Sequence, residues 1–247
     1  MKDQPSVAFS RAWQASAFEW KYRAWIITGL YLLALACFRF DRRDIGFTLG
    51  GLIAALVPVS VTGRLAYLVA ALLVALAASI RTWTTAYSAT QAPSSKSPYT
   101  PYLAADSPYR FVRHPAYLGA ILLFLGFGLL LNPFGFILLV VGMAVLIYRL
   151  LLREAADVPA AQRRQYAAYC AAVPALLPTW RRYLPPGSRL PDWRRAWLRE
   201  AYLWGFAATL LTLALTLNER LFYSALAISL AMQAASYLLS NRKRKLA

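Results

Sequence analysis

The sequence predicts an all-α, polytopic integral membrane protein of about seven transmembrane helices, arranged largely as hairpins. Three observations predict it. Hydrophobic residues make up 60% of the 247 residues and charged residues only 15%, far from the balance of a soluble domain. The apolar residues gather into long runs without the polar face of an amphipathic soluble helix. No ten-residue segment alternates with the period of a membrane barrel strand, so helices are left to satisfy the backbone in hydrocarbon.

The apolar segments run roughly over 24–38, 45–61, 65–80, 117–131, 133–152, 203–217 and 221–240. A span needs about 20 residues, so the first and sixth need their aromatic flanks, Trp20 and Trp25, and Tyr202 and Trp204, at the interfaces. Thr62-Gly63-Arg64, Asn132-Pro133 and Asn218-Glu219-Arg220 are too short for anything but tight hairpin turns. Two long polar stretches remain. In the first, 81–115, residues 91–101 are rich in Ser, Pro and Thr and read as loop. The second, 153–202, begins helical and breaks at Pro174, Pro178, Pro185, Pro186 and Pro191. Three regions follow: 1–63 with the first membrane helices, a core over 64–180, and 181–247 with a basic linker and a final hairpin. Nothing in the first 23 residues reads as a cleaved signal peptide.

Net charge is +17. No groove-reading or stacked-aromatic motif accompanies it, so no nucleic-acid partner is expected, and basic loops facing anionic lipid explain it better. If the uncharged Asn132-Pro133 turn faces outward, the connections on the other side hold 21 of the 27 Lys and Arg against 6. That bias sets those loops in the cytoplasm, as in a bacterial-type inner membrane. An odd number of spans then leaves the amino terminus outside with four cations, a tension relieved if residues 6–23 lie in the interface as an amphipathic helix or if the first apolar segment does not fully span. Cys37 and Cys170 have no metal-ligand spacing, and no metal site is expected.

Two positions stand out for chemistry. Glu154 ends a long apolar run beside Arg153 and five residues after Arg149; by position alone a snorkelling pair at the membrane edge explains it better than a site. His114, the sole histidine, precedes Pro115 and Tyr117 at a helix start. It is either a polar cap or part of an anion-receptive helix terminus. Their combination favours function: a hairpin of the fourth and fifth segments returns His114, Tyr117, Arg149, Arg153 and Glu154 to one membrane face.

At these residues the chain resembles a known family. Ser107-Pro108-Tyr109-Arg110-Phe111-Val112-Arg113-His114-Pro115-Ala116-Tyr117-Leu118-Gly119 looks like the Arg-His-Pro-x-Tyr-x-Gly signature of isoprenylcysteine carboxyl methyltransferases and the related phospholipid methyltransferases. Arg153-Glu154, Tyr166, Tyr169, Val173-Pro174 and Leu177-Pro178 resemble the second signature of that family. Ser107, Ala155, Arg164-Gln165 and Ala175 depart from it. The resemblance covers roughly 64–180. It implies S-adenosylmethionine as cofactor, held by Tyr109, His114, Pro115, Tyr117 and Glu154, with Leu103 and Ala104 at matching backbone positions. It also implies a substrate-contacting arginine, either Arg149 or Arg153. The acceptor would be a lipid or small molecule offering a carboxylate, thiol or amine. Two other readings compete: an NADPH-dependent membrane reductase of related fold, with the basic stretch 181–199 as its phosphate site, and a transporter or scaffold without catalysis, for which paired broken helices at mid-membrane are lacking.

Overall fold

The computed structural model describes residues 13–52, 58–88, 107–157, 163–179 and 190–245, and in these it is all-helical. The helices are α1 (Ala17–Ala36), α2 (Ile45–Leu52), α3 (Val59–Ser88), α4 (Pro115–Gly128), α5 (Pro133–Ala156), α6 (Arg163–Ala172), α7 (Trp193–Thr216) and α8 (Glu219–Lys245). Among the described residues three helices, over 17–39, 61–87 and 133–156, are long and apolar enough to cross a membrane.

Within the second apolar segment Ile45–Leu52 is helical, and residues 53–57 lie outside the described residues. Thr62-Gly63-Arg64, expected as a turn, lies inside α3. The backbone N–H groups of Val61 and Thr62 reach Pro58 O at 2.9 and 3.1 Å, so the helix starts at this proline, which can lead a first turn but not continue one. Gly63 needs no turn, since a side chain there would meet open space. Gly46 of α2 packs beside Ala66 of α3.

The other two turns stand near their expected places. Asn132 is fully buried and caps α5, its Oδ1 accepting from Gly135 N at 2.7 Å, while its Nδ2 donates to Cys37 O and Asp41 O at 2.6 and 2.7 Å. It thus ties the end of α1 to the α4–α5 turn. Between α7 and α8, Leu217 takes a left-handed conformation (φ 51°) and Asn218 Oδ1 accepts from the N–H groups of Arg220 and Leu221.

A further bond fixes the direction of α1. Ala15 N donates to Arg149 O at 3.0 Å, so the chain enters α1 at the His114–Glu154 end and leaves it at the Asn132 end. A count of seven spans places this entry on the other side, which is the tension the N-terminal cations posed in the sequence. Lys21 and Arg23 therefore join the basic site end, and Arg39, Arg42 and Arg43 move away from it, an exchange that preserves the charge bias.

The packing forms two apolar clusters on either side of α4. Ala34, Leu139, Met143, Leu146, Ile147 and Leu150 build one, between α1 and α5. Ala70, Val74, Ala78, Leu203, Phe206 and Leu210 build the other, between α3 and α7. Small residues bring α4 against α3: a Cβ at Gly126 would stand 2.7 Å from Val74 and 3.0 Å from the Ala70 carbonyl oxygen, the close approach that membrane helices exploit. Outward, Ile137, Val141 and Val145 of α5 and Leu65, Leu72 and Leu76 of α3 are exposed. Apolar residues on both faces of a helix fit hydrocarbon on the outside and protein on the inside.

Candidate active site

The fold-back of α4 and α5 brings His114 and Glu154 together. His114 is the N-cap residue of α4, with Pro115 in the first turn; its side chain makes no cap bond and turns to α5 instead. His114 Nδ1 lies 3.1 Å from Glu154 Oε2, and Tyr117 Oη donates to Glu154 Oε1 at 2.8 Å. Both carboxylate oxygens are thus engaged at the end of an apolar helix, where an unaccompanied charge would be costly. The snorkelling explanation of Glu154 does not hold, for its side chain is only 14% exposed and faces a cavity.

That cavity measures about 490 Å³ and is lined by Tyr109, His114, Pro115, Tyr117 and Glu154 among others. All five described cofactor candidates therefore meet in one place; Leu103 and Ala104, like residues 91–101, lie outside the described residues. The second polar stretch locks onto the first signature. Arg113 N and His114 N donate to Pro174 O and Ala175 O at 2.9 and 3.1 Å, and Thr179 N to Phe111 O at 2.8 Å. Tyr169 Oη donates to Tyr109 O at 2.8 Å, and Arg113 Nη1 to Cys170 Sγ at 2.7 Å. Burial, followed by the nearby Cys170 sulfur, pushes the Tyr166 hydroxyl up to about 12, and burial raises Tyr169 as well. Two of the departures are explained here. Position 175 serves through its carbonyl, and Ala155 is exposed and outside the cavity lining.

The arginines fall differently from the expectation. Neither Arg149 nor Arg153 lines the cavity. Arg149 places Nε and Nη2 on the two oxygens of Glu19, each at 2.8 Å, and Nη2 also on Gln14 O. Arg153 donates from Nη1 to Ala15 O at 2.9 Å, lies 3.5 Å from Asp157 through Nε, and stacks its guanidinium toward Trp20. Both hold the N-terminal segment against the site end. The cations in the wall are Arg23, Arg81 and Arg113. Arg81 carried a usable signal, because it interrupts α3 directly after an apolar run and an ionisable residue there is expensive unless used. Arg23, with Trp20 beside it, sits ninety residues before His114 and had no local signal.

A second, apolar cavity of about 440 Å³ adjoins the first, sharing Met143 and Ile147 and continuing along Phe124, Val140, Ala144 and Leu151. It lies between α4 and α5. Among the described residues no group of three or more His, Cys, Asp or Glu is placed to hold a metal.

Residues 65–157 match the model of the phospholipid methyltransferase family. The matched stretch runs from α3 to the end of α5 and contains His114, Tyr117 and Glu154, so the resemblance to these membrane methyltransferases is borne out there. Comparison with curated proteins and with solved structures found no match.

Proposed function

We propose that this chain is an S-adenosylmethionine-dependent methyltransferase of the membrane, acting on a lipophilic acceptor at the cytoplasmic end of the bundle. The observation that carries it is the Tyr117–Glu154–His114 constellation in the wall of the cavity. The residues present fit the cofactor. The Glu154 carboxylate suits an ammonium group. Arg113 Nε is buried without a hydrogen-bond partner, a donor whose burial is costly until an acceptor such as a carboxylate meets it. Tyr109 offers an aromatic face to a sulfonium. A volume of about 490 Å³ falls within the usual size of small-molecule sites.

S-adenosylmethionine, when bound, supplies a methyl group already activated on sulfur. The chain therefore has to align donor and acceptor and keep water away. Tyr117 and His114 fix the rotamer of Glu154, so the carboxylate reaches the cavity in one orientation. The hydrogen bonds from Arg113, His114 and Thr179 fasten the segment around Pro174 to the stretch that carries His114. The apolar cavity between α4 and α5 takes the lipophilic part of the acceptor, whose reacting head enters the polar cavity past Met143 and Ile147.

Titration of the purified chain with S-adenosylmethionine and, separately, with NADPH tests this reading. Micromolar binding of the first, weakened by Glu154→Ala and His114→Ala, is expected. Binding of NADPH alone would replace the reading by a reductase. Transfer of radiolabelled methyl into a total lipid and small-molecule extract would then name the acceptor.

A further inference from the structure

The C-terminal hairpin, α7 and α8, lies outside the stretch that matches the family and does not line the cavity, yet it holds one residue that does, Arg81. Glu200 of α7 is 5% exposed, and its two oxygens are divided between helix α3 partners: Arg81 Nε donates to Oε2 at 3.1 Å and Thr85 Oγ1 to Oε1 at 2.7 Å. Tyr202 bonds to Arg81 from the same helix, and Trp204 Nε1 donates to Thr82 Oγ1 at 3.2 Å. A buried carboxylate with a two-sided set of donors is held in one place. It therefore holds the arginine.

Glu200 does not consume the whole guanidinium. An arginine has five N–H donors in a rigid fork; Glu200 engages Arg81 through Nε and Tyr202 takes one further bond, which leaves donors for a ligand. Arg149 makes the contrast, since Nε and Nη2 both go to Glu19. Arg81 remains part of the cavity wall and its side chain stays 29% exposed. Gly119 permits this, because a Cβ there would stand 2.7 Å from Arg81 Cγ.

Charge balance says what the fork is for. Among the described residues the wall carries Arg23, Arg81 and Arg113 against Glu154, with Glu200 behind Arg81. S-adenosylmethionine adds a sulfonium and an ammonium against one carboxylate, so it brings further positive charge. The cavity keeps a cationic surplus in a partly desolvated place, where like charges repel strongly. An anion on the acceptor removes it.

We propose that Arg81 selects an acceptor bearing an anionic oxyacid group, phosphate or carboxylate, and that Glu200 of the C-terminal hairpin is the residue that positions it. This rests on the methyl-transfer reading above. A planar fork fits the two oxygens of such a group bidentately, and the apolar cavity beside it takes the rest of the molecule.

The test measures binding of tritiated dioctanoyl phosphatidic acid, decanoate and dioctanoylglycerol to the full chain in neutral detergent, with S-adenosylmethionine affinity read on the same samples. The native chain should prefer the anionic lipids to the neutral glyceride by about tenfold, the worth of a charged hydrogen-bond pair. Arg81→Gln should abolish the preference, and Arg81→Lys, which keeps charge but loses the fork, should reduce it and serves if the first variant does not fold. Glu200→Gln should lower the preference while leaving glyceride binding as it was; an equal loss for every lipid would make Glu200 merely structural and overturn its role. Displacement of phosphatidic acid by inorganic phosphate as well as by decanoate would support Arg81 and assign a soluble oxyanion, and displacement by lipid alone would assign a headgroup. No preference in the native chain, or one that survives Arg81→Gln, overturns the proposal. Lack of S-adenosylmethionine binding in the native chain is a separate result and would fall on the methyl-transfer reading.

Discussion

Glu154→Gln separates charge from shape at the centre of the site. The amide keeps one oxygen for the Tyr117 hydroxyl, now 2.8 Å away, but it replaces the other with an NH₂ facing His114 Nδ1, which stands 3.1 Å from Oε2. The imidazole can adapt by exposing its lone pair there, so the fold survives. What cannot be replaced is the negative charge offered to a cofactor ammonium. A hydrogen bond to a charged partner contributes about 1.5–3 kcal/mol, so S-adenosylmethionine should bind roughly 10- to 100-fold more weakly. Tyr117→Phe removes only a neutral donor that orients the carboxylate and should cost about 1 kcal/mol, or about fivefold. Calorimetric titration in detergent measures both, with thermal unfolding as control for the fold. If Glu154→Gln bound the cofactor within about twofold of the native chain, Glu154 would not hold its amine and the reasoning from the constellation would fail.

Other outcomes follow from the surrounding structure. Arg149→Gln breaks the two-bond pair with Glu19, whose partners are each 23% exposed; it should cost about 1 kcal/mol and open the N-terminal segment to protease, with cofactor affinity unchanged, whereas a parallel loss of affinity would return Arg149 to the site. Asn132→Ala strips the α5 cap and leaves the Cys37 and Asp41 carbonyls without their donor, so unfolding should become easier by about 3 kcal/mol, seen as a lower melting temperature; an unchanged melt would refute the clamp. Tyr166 ionises at about 12 in the folded chain and near 10 when unfolded. Its contribution is complete below pH 10 and is lost as pH rises toward 12, because the unfolded state sheds its proton first. Tyr166→Phe should flatten the fall in stability between pH 10 and 12, and a wild-type slope in that window would show the hydroxyl to be uninvolved.

Local signals carried the site further than its neighbours. Arg113, His114, Pro115 and Tyr117 are consecutive or nearly so, and one hairpin sufficed to predict that Glu154 meets them. Residues such as Trp20, Arg23 and Arg81 approach from α1 and α3, and no spacing in the chain connects them to His114. Arg149 and Arg153 show the reverse: adjacency to Glu154 made them candidates, but on α5 their side chains emerge toward the N-terminal segment, and Glu19 and the Ala15 carbonyl take them.

The sequence by itself determined that the chain is helical and membrane-embedded, because a lipid environment forces internal hydrogen bonding and long apolar runs are the residue of that demand. It also determined that His114 and Glu154 share an end, since Asn132-Pro133 permits only a return. Tertiary structure alone decided at which end of the bundle α1 begins, for the bond from Ala15 to Arg149 joins residues that no spacing in the chain relates. It likewise decided which arginines face the cavity. Every arginine is a cation in the sequence, and only packing shows whether a carboxylate such as Glu19 has engaged the fork from both sides or, as with Glu200 and Arg81, holds it at one nitrogen in the cavity wall.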